Sequence, residues 1–107
     1  MSSADIPEID VAEAARRQAA GTPLIDVREA DEWAEVHASG AVPVPLSELT
    51  DRVIDLPQGT ELLMLCRSGG RSMKAAEFLT GQGFSCVNVG GGTLAWVEAG
   101  LPTESGS

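Results

Sequence analysis

The sequence predicts an α/β domain in which a parallel sheet carries helices on both of its faces. Three short apolar runs, at residues 24–27, 62–65 and 84–89, have the length and composition of buried strands. Segments with helical spacing of apolar residues separate these runs. Strands that alternate with helices pair in parallel through right-handed crossovers, which places helices on both sides of the sheet. With 107 residues, 43% of them hydrophobic, the chain is expected to form one domain with its own core.

The first third of the chain predicts a helix, a strand and a second helix. Asp10 and Glu13 form a capping-box pattern ahead of an alanine-rich helix that is expected to end at Gly21. The first apolar run follows as a buried strand. Residues 29–36 are helix-prone, and Trp33 is expected to anchor this helix to the interior.

The middle of the chain predicts an irregular segment and a third helix. Residues 37–45 contain two prolines, which cannot donate hydrogen bonds inside a sheet, so this segment is expected to be irregular or extended. Ser47 is expected to cap a helix that stops at Pro57 and Gly59. The apolar residues on one side of this helix are Leu49, Val53 and Leu56.

The last third of the chain predicts two strands that each lead through a glycine-rich turn into a helix. After the strand at 62–65, a helix is expected to begin near Ser72 and to run up to the breaker pair Gly81 and Gly83. Its apolar residues at helical spacing are Met73, Ala76 and Leu79. The strand at 84–89 leads into three successive glycines, which indicate a tight turn, and Thr93 is expected to cap a final short helix.

The charge is unevenly distributed. Seven basic and 16 acidic residues give a formal net charge of −9, which argues against nucleic acids and anionic membranes as partners. Residues 62–76 reverse this balance, because they contain no Asp or Glu and three of the seven basic residues: Arg67, Arg71 and Lys74. The acidic chain therefore carries one local positive region, and that region surrounds Cys66.

Compartment and cysteine chemistry follow from simple counts. The first ten residues have no basic or apolar run typical of an export signal, and no apolar run approaches the length of a membrane span, so a cytoplasmic location is expected. In that compartment the two cysteines are expected to be free thiols. Cys86 lies in a strand pattern with no basic neighbour and is interpreted as buried and inert.

The stretch around Cys66 predicts an anion site with a reactive sulfur. Cys66 stands at the end of a strand, where ligands bind in α/β sheets. Gly69 and Gly70 allow the following backbone to curl so that several N–H groups point at one place. Those N–H groups, together with Arg67 and Arg71, are expected to lower the pKa of the thiol and to attract an anionic substrate. The alternative is a small apolar residue that closes the strand, which would need none of this charge.

Three motifs carry a resemblance to a known family. The stretches LIDVREADEW (24–33), LLMLCRSGGRS (62–72) and VGGGTLAWVEAGLP (89–102) together resemble the single-domain rhodaneses, which are sulfurtransferases. The resemblance runs in register from about residue 6 to residue 102, and it implies one rhodanese domain over 1–107 with short flexible termini. It also implies a central parallel five-stranded sheet flanked by helices. Val36 and Ala38 depart from the family pattern, which usually has glycine and isoleucine beside the histidine.

The resemblance also implies a mechanism. Cys66 would be the sulfur-carrying nucleophile, within a loop whose substrate-binding residues are Arg67, Ser68, Gly69, Gly70, Arg71 and Ser72. A small anionic donor such as thiosulfate would leave a persulfide on Cys66, and a thiol, cyanide or a protein acceptor would remove the sulfur. No metal or organic cofactor is required. His37, the only histidine, is interpreted as a packing residue, because an ionised thiolate needs no general base. Asp26 and Arg28 are interpreted as structural partners rather than catalysts.

Three other functions were weighed against sulfur transfer. A cysteine phosphatase typically has five residues between cysteine and arginine, whereas Cys66 and Arg71 are separated by four. A nucleotide site at residues 90–95 would need a further βαβ unit, and only twelve residues follow Ala95. A module that only docks partners would not need Cys66, although a persulfide carrier in a sulfur-trafficking pathway would still use it.

Overall fold

A computed structural model describes residues 6–106 of the chain. The strands are β1 (Glu8–Ile9), β2 (Leu24–Asp26), β3 (His37–Ala38), β4 (Val42–Pro43), β5 (Glu61–Leu65), β6 (Ser85–Val89) and β7 (Thr103–Glu104). The helices are α1 (Val11–Ala19), α2 (Ala30–Glu35), α3 (Leu49–Arg52), α4 (Gly70–Gly81) and α5 (Gly92–Glu98), and 3₁₀ turns at Leu46–Glu48 and Val53–Asp55 flank α3. Five strands form one sheet in the order β1-β6-β5-β2-β4, and every pairing in it is parallel. The predicted α/β fold with a parallel five-stranded sheet is confirmed.

The sheet separates two hydrophobic cores, and the central strand β5 contributes to both. Alternate side chains of a strand point to opposite faces. Accordingly, Leu62 and Met64 pack with α4 and with the segment around α3, whereas Leu63 and Leu65 pack with α1 and α5. Cys66 continues this alternation and joins the core under α4. The apolar run that marks β5 in the sequence thus also determines the face on which the sulfur lies.

The cap and anchor predictions had mixed outcomes. Asp10 does cap α1, because its Oδ1 accepts a hydrogen bond from the N–H of Glu13 at 2.9 Å. Ser47 caps no helix; it lies within a 3₁₀ turn and donates its hydroxyl to Glu29 at 2.8 Å. Trp33 is not buried in the interior either, and its ring stacks on that of His37 with centroids 3.7 Å apart.

Two helices in the second half begin earlier than predicted. The helix α4 begins at Gly70, so Ser72 lies inside its first turn and not at its start. The helix α5 begins at Gly92, so Thr93 is its second residue and caps nothing. In both cases the residue before the helix is a glycine in the left-handed region, with φ 119° at Gly69 and 81° at Gly91. A glycine therefore makes the turn into each helix, and no side chain caps either helix there.

The chain beyond the predicted core is also paired. The strand β7 forms a two-stranded antiparallel ribbon with β3, in which His37 lies opposite Glu104. Strand pairing thus extends past residue 102, where the predicted core ends. Residues 1–5 and 107, which belong to the termini predicted to be flexible, lie outside the described residues. Among residues 6–106 no helix is both long enough and apolar enough to cross a bilayer. The cytoplasmic location stays a prediction.

Candidate active site

The cysteine at the carboxyl end of β5 lies in a loop that points hydrogen-bond donors at its sulfur. Cys66 is 1% exposed. Its Sγ accepts a hydrogen bond from the N–H of Gly69 at 3.0 Å and one from the hydroxyl of Ser72 at 3.3 Å. The left-handed conformation of Gly69 is what turns the chain back toward the sulfur within three residues.

The start of α5 holds the outer side of this loop. The N–H groups of Thr93 and Leu94 donate to the carbonyl oxygens of Cys66 and Arg67, at 2.8 and 3.1 Å. Because these carbonyls are bound to α5, they cannot turn toward the sulfur. The contact requires glycine at position 92, where a Cβ would lie 2.5 Å from backbone atoms of Cys66 and Arg67. The glycine run that was predicted to form a tight turn therefore also packs against the cysteine loop.

The loop lowers the pKa of the thiol even though the thiol is buried. Burial is the largest single influence and raises the pKa of Cys66, because a thiolate is poorly solvated in the interior. Hydrogen bonds from the Ser72 hydroxyl and from the backbone N–H groups of Ser72, Gly69 and Ser68 lower it, and together they outweigh the burial. The N–H groups predicted from the sequence thus contribute strongly to the lowered pKa of Cys66. Neither Arg67 nor Arg71 is among the main causes of that lowering.

Arg71 already has a partner in the structure. Its guanidinium donates two hydrogen bonds of 2.7 Å to the two carboxylate oxygens of Glu32 on α2. This pairing lowers the pKa of Glu32 to about 2, chiefly through the hydrogen bond from Arg71. Arg71 therefore ties α4 to α2, and its predicted contact with an anionic donor stays a prediction that would use its remaining N–H groups. Sequence reasoning missed Glu32, whose partner is 39 residues away.

Arg67 differs from Arg71 in its surroundings. It is exposed, and it forms no ion pair with any residue in the described range 6–106. Ser68 and Gly70 are exposed beside it, and Gly69 is half-buried. Of the two loop arginines, Arg67 is thus the one whose guanidinium is available to a ligand.

A buried polar network that sequence reasoning missed contacts the cysteine loop from strand β6. Asn88, in the middle of β6, is 1% exposed, and its Oδ1 accepts a hydrogen bond from Ser72 Oγ at 2.6 Å. Its Nδ2 donates to Glu8 Oε2 at 2.9 Å and to the carbonyl of Gly69 at 3.2 Å. A hydroxyl has only one hydrogen to donate. The Oδ1 of Asn88 and the sulfur of Cys66 therefore compete for the hydroxyl hydrogen of Ser72. The signal in the sequence was a single polar residue inside an apolar strand, because buried polar groups need partners.

The second cysteine and the histidine take no part in this site. Burial raises the pKa of Cys86 to about 11, and both cysteines are free thiols. Cys86 is in register with Leu62, four residues before Cys66 along β5, so the two sulfurs lie roughly 13 Å apart along the strand direction. His37 is buried and bonds through Nδ1 to the carbonyl of Trp33 at 2.7 Å. These placements agree with an inert Cys86 and a packing role for His37.

A buried ion pair fixes the loop that follows β2. Asp26 accepts hydrogen bonds from the guanidinium of Arg28 at 3.0 to 3.2 Å, and both residues are buried. Arg28 also donates to the carbonyls of Val36 and Glu32, at 2.7 and 3.3 Å. Through Glu32 this pair connects to Arg71, so it sets the position of α2 beside the cysteine loop. Within residues 6–106 no group of three or more His, Cys, Asp or Glu side chains is arranged to hold a metal ion.

Comparison with known proteins gives a consistent result. A family model described as "Rhodanese-like domain" matches residues 10–99. The chain is 42% identical over 73 residues to "Putative sulfurtransferase YtwF" of Bacillus subtilis, with 68% of this chain and 71% of the relative covered. It is 35% identical over 80 residues to a protein named "Sulfurtransferase" from Allochromatium vinosum, with 74% and 75% covered.

Solved structures agree with these sequence matches. The crystal structure of a rhodanese-related protein from Thermoplasma volcanium superposes with a TM-score of 0.84 at 30% identity, and the match covers 92% of this chain and 97% of the other. Some similar chains are much longer. This chain spans 16% of the Bacillus anthracis CoADR-RHD structure, with a TM-score of 0.82 at 32% identity.

Proposed function

The chain belongs to the rhodanese-like domain family, and from that premise we propose that it is a sulfurtransferase that carries sulfane sulfur on Cys66 as a persulfide. Its matched relatives, two of them named as sulfurtransferases, support a sulfurtransferase at the level of the family. The observation that carries the assignment to Cys66 is the lowered pKa of a buried thiol at the focus of a loop of N–H donors. These hydrogen bonds favour the thiolate, which is the nucleophilic form of cysteine.

The first half-reaction loads the sulfur. The Cys66 thiolate attacks the outer sulfur of a donor such as thiosulfate, and the S–S bond of the donor breaks. Its electron pair leaves with sulfite, and Cys66 keeps the transferred sulfur as a persulfide. The N–H of Gly69 and the hydroxyl of Ser72 lie within hydrogen-bond distance of the sulfur of Cys66, and the exposed Arg67 would bind the anionic end of the donor. Donors arranged in advance around developing negative charge are an effective means of catalysis.

The second half-reaction discharges the sulfur. A thiol, cyanide or a thiol on another protein attacks the outer sulfur of the persulfide. The bond between the two sulfurs breaks, and its electron pair returns to Cys66 as the thiolate. No electrons enter or leave the cycle, so it needs no redox cofactor. A persulfide carrier would share the loading step and differ only in passing the sulfur to a protein.

Intact-mass spectrometry after incubation with thiosulfate tests this function directly. The expected result is a gain of one sulfur atom with release of one equivalent of sulfite, and loss of the added sulfur when cyanide or a thiol is supplied. Cys86→Ser is the matched control and should load normally, because Cys86 lies away from the loop. A Cys66→Ser variant that still acquired sulfur would sink the mechanism, and efficient aryl phosphate hydrolysis without sulfur loading would indicate a phosphatase instead.

A further inference from the structure

The hydroxyl of Ser72 lies between two buried acceptors, the sulfur of Cys66 and the amide oxygen of Asn88. Its Oγ is 2.6 Å from Asn88 Oδ1 and 3.3 Å from Cys66 Sγ. All three residues are at most 1% exposed. The carbonyl oxygen of Gly69 is a third acceptor at 3.2 Å, but it already accepts hydrogen bonds from the N–H of Met73 and from Asn88 Nδ2. The one hydrogen of Ser72 is therefore shared mainly between Asn88 and the sulfur.

The orientation of the Asn88 amide is fixed by its other partners. Its Nδ2 lies 2.9 Å from a carboxylate oxygen of Glu8 and 3.2 Å from the carbonyl oxygen of Gly69. An ionised carboxylate and a carbonyl can only accept hydrogen bonds, so the amide nitrogen must face them. The amide oxygen Oδ1, which cannot donate, consequently faces Ser72.

The hydrogen of Ser72 therefore points at Asn88 while Cys66 is a thiol. Two oxygens 2.6 Å apart need a hydrogen between them, and of this pair only Ser72 has one. Among residues 6–106 no other group donates to Oδ1. When the sulfur ionises, it becomes a charged acceptor, which forms the stronger hydrogen bond. Turning the hydroxyl to the sulfur then leaves Oδ1 buried and unpaired, and this cost opposes ionisation.

We propose that Asn88 is a positioning residue that competes with Cys66 for the hydroxyl hydrogen of Ser72 and thereby limits how strongly the thiolate is stabilised. This rests on the proposed function, because it concerns the reactivity of the same sulfur. Only the direction of a hydrogen bond changes, and no proton leaves Ser72. As stabilisation of the thiolate grows, Cys66 attacks a donor more slowly but departs more easily from a persulfide. Asn88 thus sets the balance between the loading and the discharge of sulfur.

Charged side chains from four elements and from the loop itself surround this site. They are Arg67 of the loop, Arg71 of α4, its partner Glu32 of α2, Asp26 of β2 with its partner Arg28, and Glu8 of β1, which contacts Asn88. None of these residues is altered in the variants that test the proposal. A change in the pH dependence of Cys66 between those variants therefore reports on the hydroxyl of Ser72.

The pH profile of Cys66 alkylation tests the sign of the effect. Asn88→Val removes the acceptor Oδ1 and leaves an apolar side chain that suits a strand. The hydrogen of Ser72 is then free to stabilise the thiolate. Alkylation by iodoacetamide should become roughly fivefold faster on the acid side of the profile, which is the effect of one ordinary hydrogen bond. If Asn88 only supported the Gly69 carbonyl, its loss would loosen the loop and slow the reaction instead.

Further variants assign the effect to Ser72. All of them carry Cys86→Ser, so that Cys66 is the only thiol. Adding Asn88→Val to Ser72→Ala should leave the profile of Ser72→Ala unchanged, because no hydroxyl hydrogen remains to be released. Ser85→Val is the matched control, since it places valine at the exposed start of β6, at the opposite end of the strand from Asn88. It should not move the profile.

An NMR titration tests the same competition without a change at position 88. Asn88 is the only asparagine in the chain, so protein that is isotopically labelled in asparagine gives a single side-chain amide carbonyl signal. The shift of a carbonyl carbon responds to the hydrogen bond that its oxygen accepts. The signal should therefore move with pH at the midpoint of the alkylation profile. In Ser72→Ala it should move much less.

The outcomes separate this inference from the function on which it rests. An alkylation profile of Asn88→Val that stays in place or moves to higher pH would overturn the role of Asn88. So would an Asn88 signal that does not follow the ionisation of Cys66, or that follows it equally in Ser72→Ala. The NMR titration decides alone if Asn88→Val does not fold. Neither readout depends on sulfur transfer, so failure of the wild type to load sulfur from thiosulfate would contradict only the proposed function.

Discussion

At the scale of single residues, reactivity depends on which groups face one sulfur atom. Cys66 is buried, which alone would raise the pKa of its thiol, and the main hydrogen bonds that counter this come from three neighbours. Two of them, Gly69 and Ser68, act through backbone N–H groups, so their contribution depends on the path of the chain and not on a side chain. Ser72 acts through both its hydroxyl and its N–H, and its hydroxyl is the one of these contributions that a side-chain substitution can remove.

Replacing Ser72 by alanine should raise the pKa of Cys66, because a hydrogen bond to the thiolate is lost while burial is unchanged. The measurement is the rate of iodoacetamide alkylation of Cys66 as a function of pH. The profile should move to higher pH, with slower alkylation near neutrality and an equal limiting rate at high pH. Ser68→Ala is the matched control, since it keeps the N–H group, and its profile should not move. Coincident profiles for Ser72→Ala and the wild type would contradict this role.

At the scale of secondary-structure elements, the cysteine loop is held from three sides. The start of α5 binds its carbonyl oxygens, Asn88 on β6 binds the carbonyl of Gly69, and the Arg71–Glu32 pair joins α4 to α2. None of these contacts touches a reacting atom. Their effect is to fix the orientation of each peptide group, so that N–H groups face the sulfur and carbonyls face away.

Replacing Gly92 by alanine should separate α5 from the loop. The new methyl group would lie 2.5 Å from the backbone of Cys66 and Arg67, at a backbone φ of 58° that favours glycine. We expect a loss of about 2–4 kcal/mol in the free energy of unfolding, measured with urea, together with slower alkylation of Cys66. Gly81→Ala is the control, because a Cβ there meets nothing within 4 Å at the end of α4, and it should change stability by less than about 1 kcal/mol. Equal stability of the two variants would show that the close approach is unimportant.

The tie between α2 and α4 should appear in the dependence of stability on pH. The hydrogen bond that Arg71 donates to Glu32 lowers the pKa of Glu32 in the folded protein from 4.5 to about 2. Folding therefore favours the ionised form of Glu32. The resulting stabilisation is fully present above pH 4.5 and is lost as pH falls toward 2. Glu32→Gln should therefore differ most from the wild type near neutrality and converge with it in acid, as measured by urea unfolding at several pH values. Glu77→Gln, at an exposed position on α4, serves as the control and should show no such convergence. A difference in stability between Glu32→Gln and the wild type that stayed constant with pH would argue against the ion pair.

At the scale of the whole molecule, the sequence was informative wherever the cause of a feature is local. The apolar runs located β2, β5 and β6, and the residues around Cys66 located the loop that donates hydrogen bonds to its sulfur, because strand burial and turn geometry depend on adjacent residues. Ser47 was misassigned because its partner Glu29 lies 18 residues away. Asn88 and Glu32 were missed for the same reason, since their partners in the site are 16 and 39 residues distant.

Net charge is a property of the whole chain, and here it opposes the local charge of the site. A formal charge of −9 repels an anionic donor at long range, whereas Arg67 attracts it at contact. Added salt screens both effects, with a Debye length of about 10 Å at 0.1 M. The balance between repulsion and attraction should therefore be visible in the salt dependence of sulfur loading.

Replacing Arg67 by alanine should change the sign or the slope of the salt dependence of sulfur loading. Removing the charge of Arg67 weakens the local attraction and leaves the repulsion by the acidic surface in place, so added salt should speed loading of the variant by thiosulfate more than loading of the wild type. In the wild type the same salt also weakens the attraction, so loading should rise less or fall. The measurement is the second-order rate of sulfite release between about 0.02 and 0.3 M sodium chloride. Arg16→Ala is the charge-matched control, because Arg16 lies in the last turn of α1 and binds Glu13, and it should follow the wild type. Parallel salt curves for Arg67→Ala and Arg16→Ala would show that Arg67 does not guide the donor.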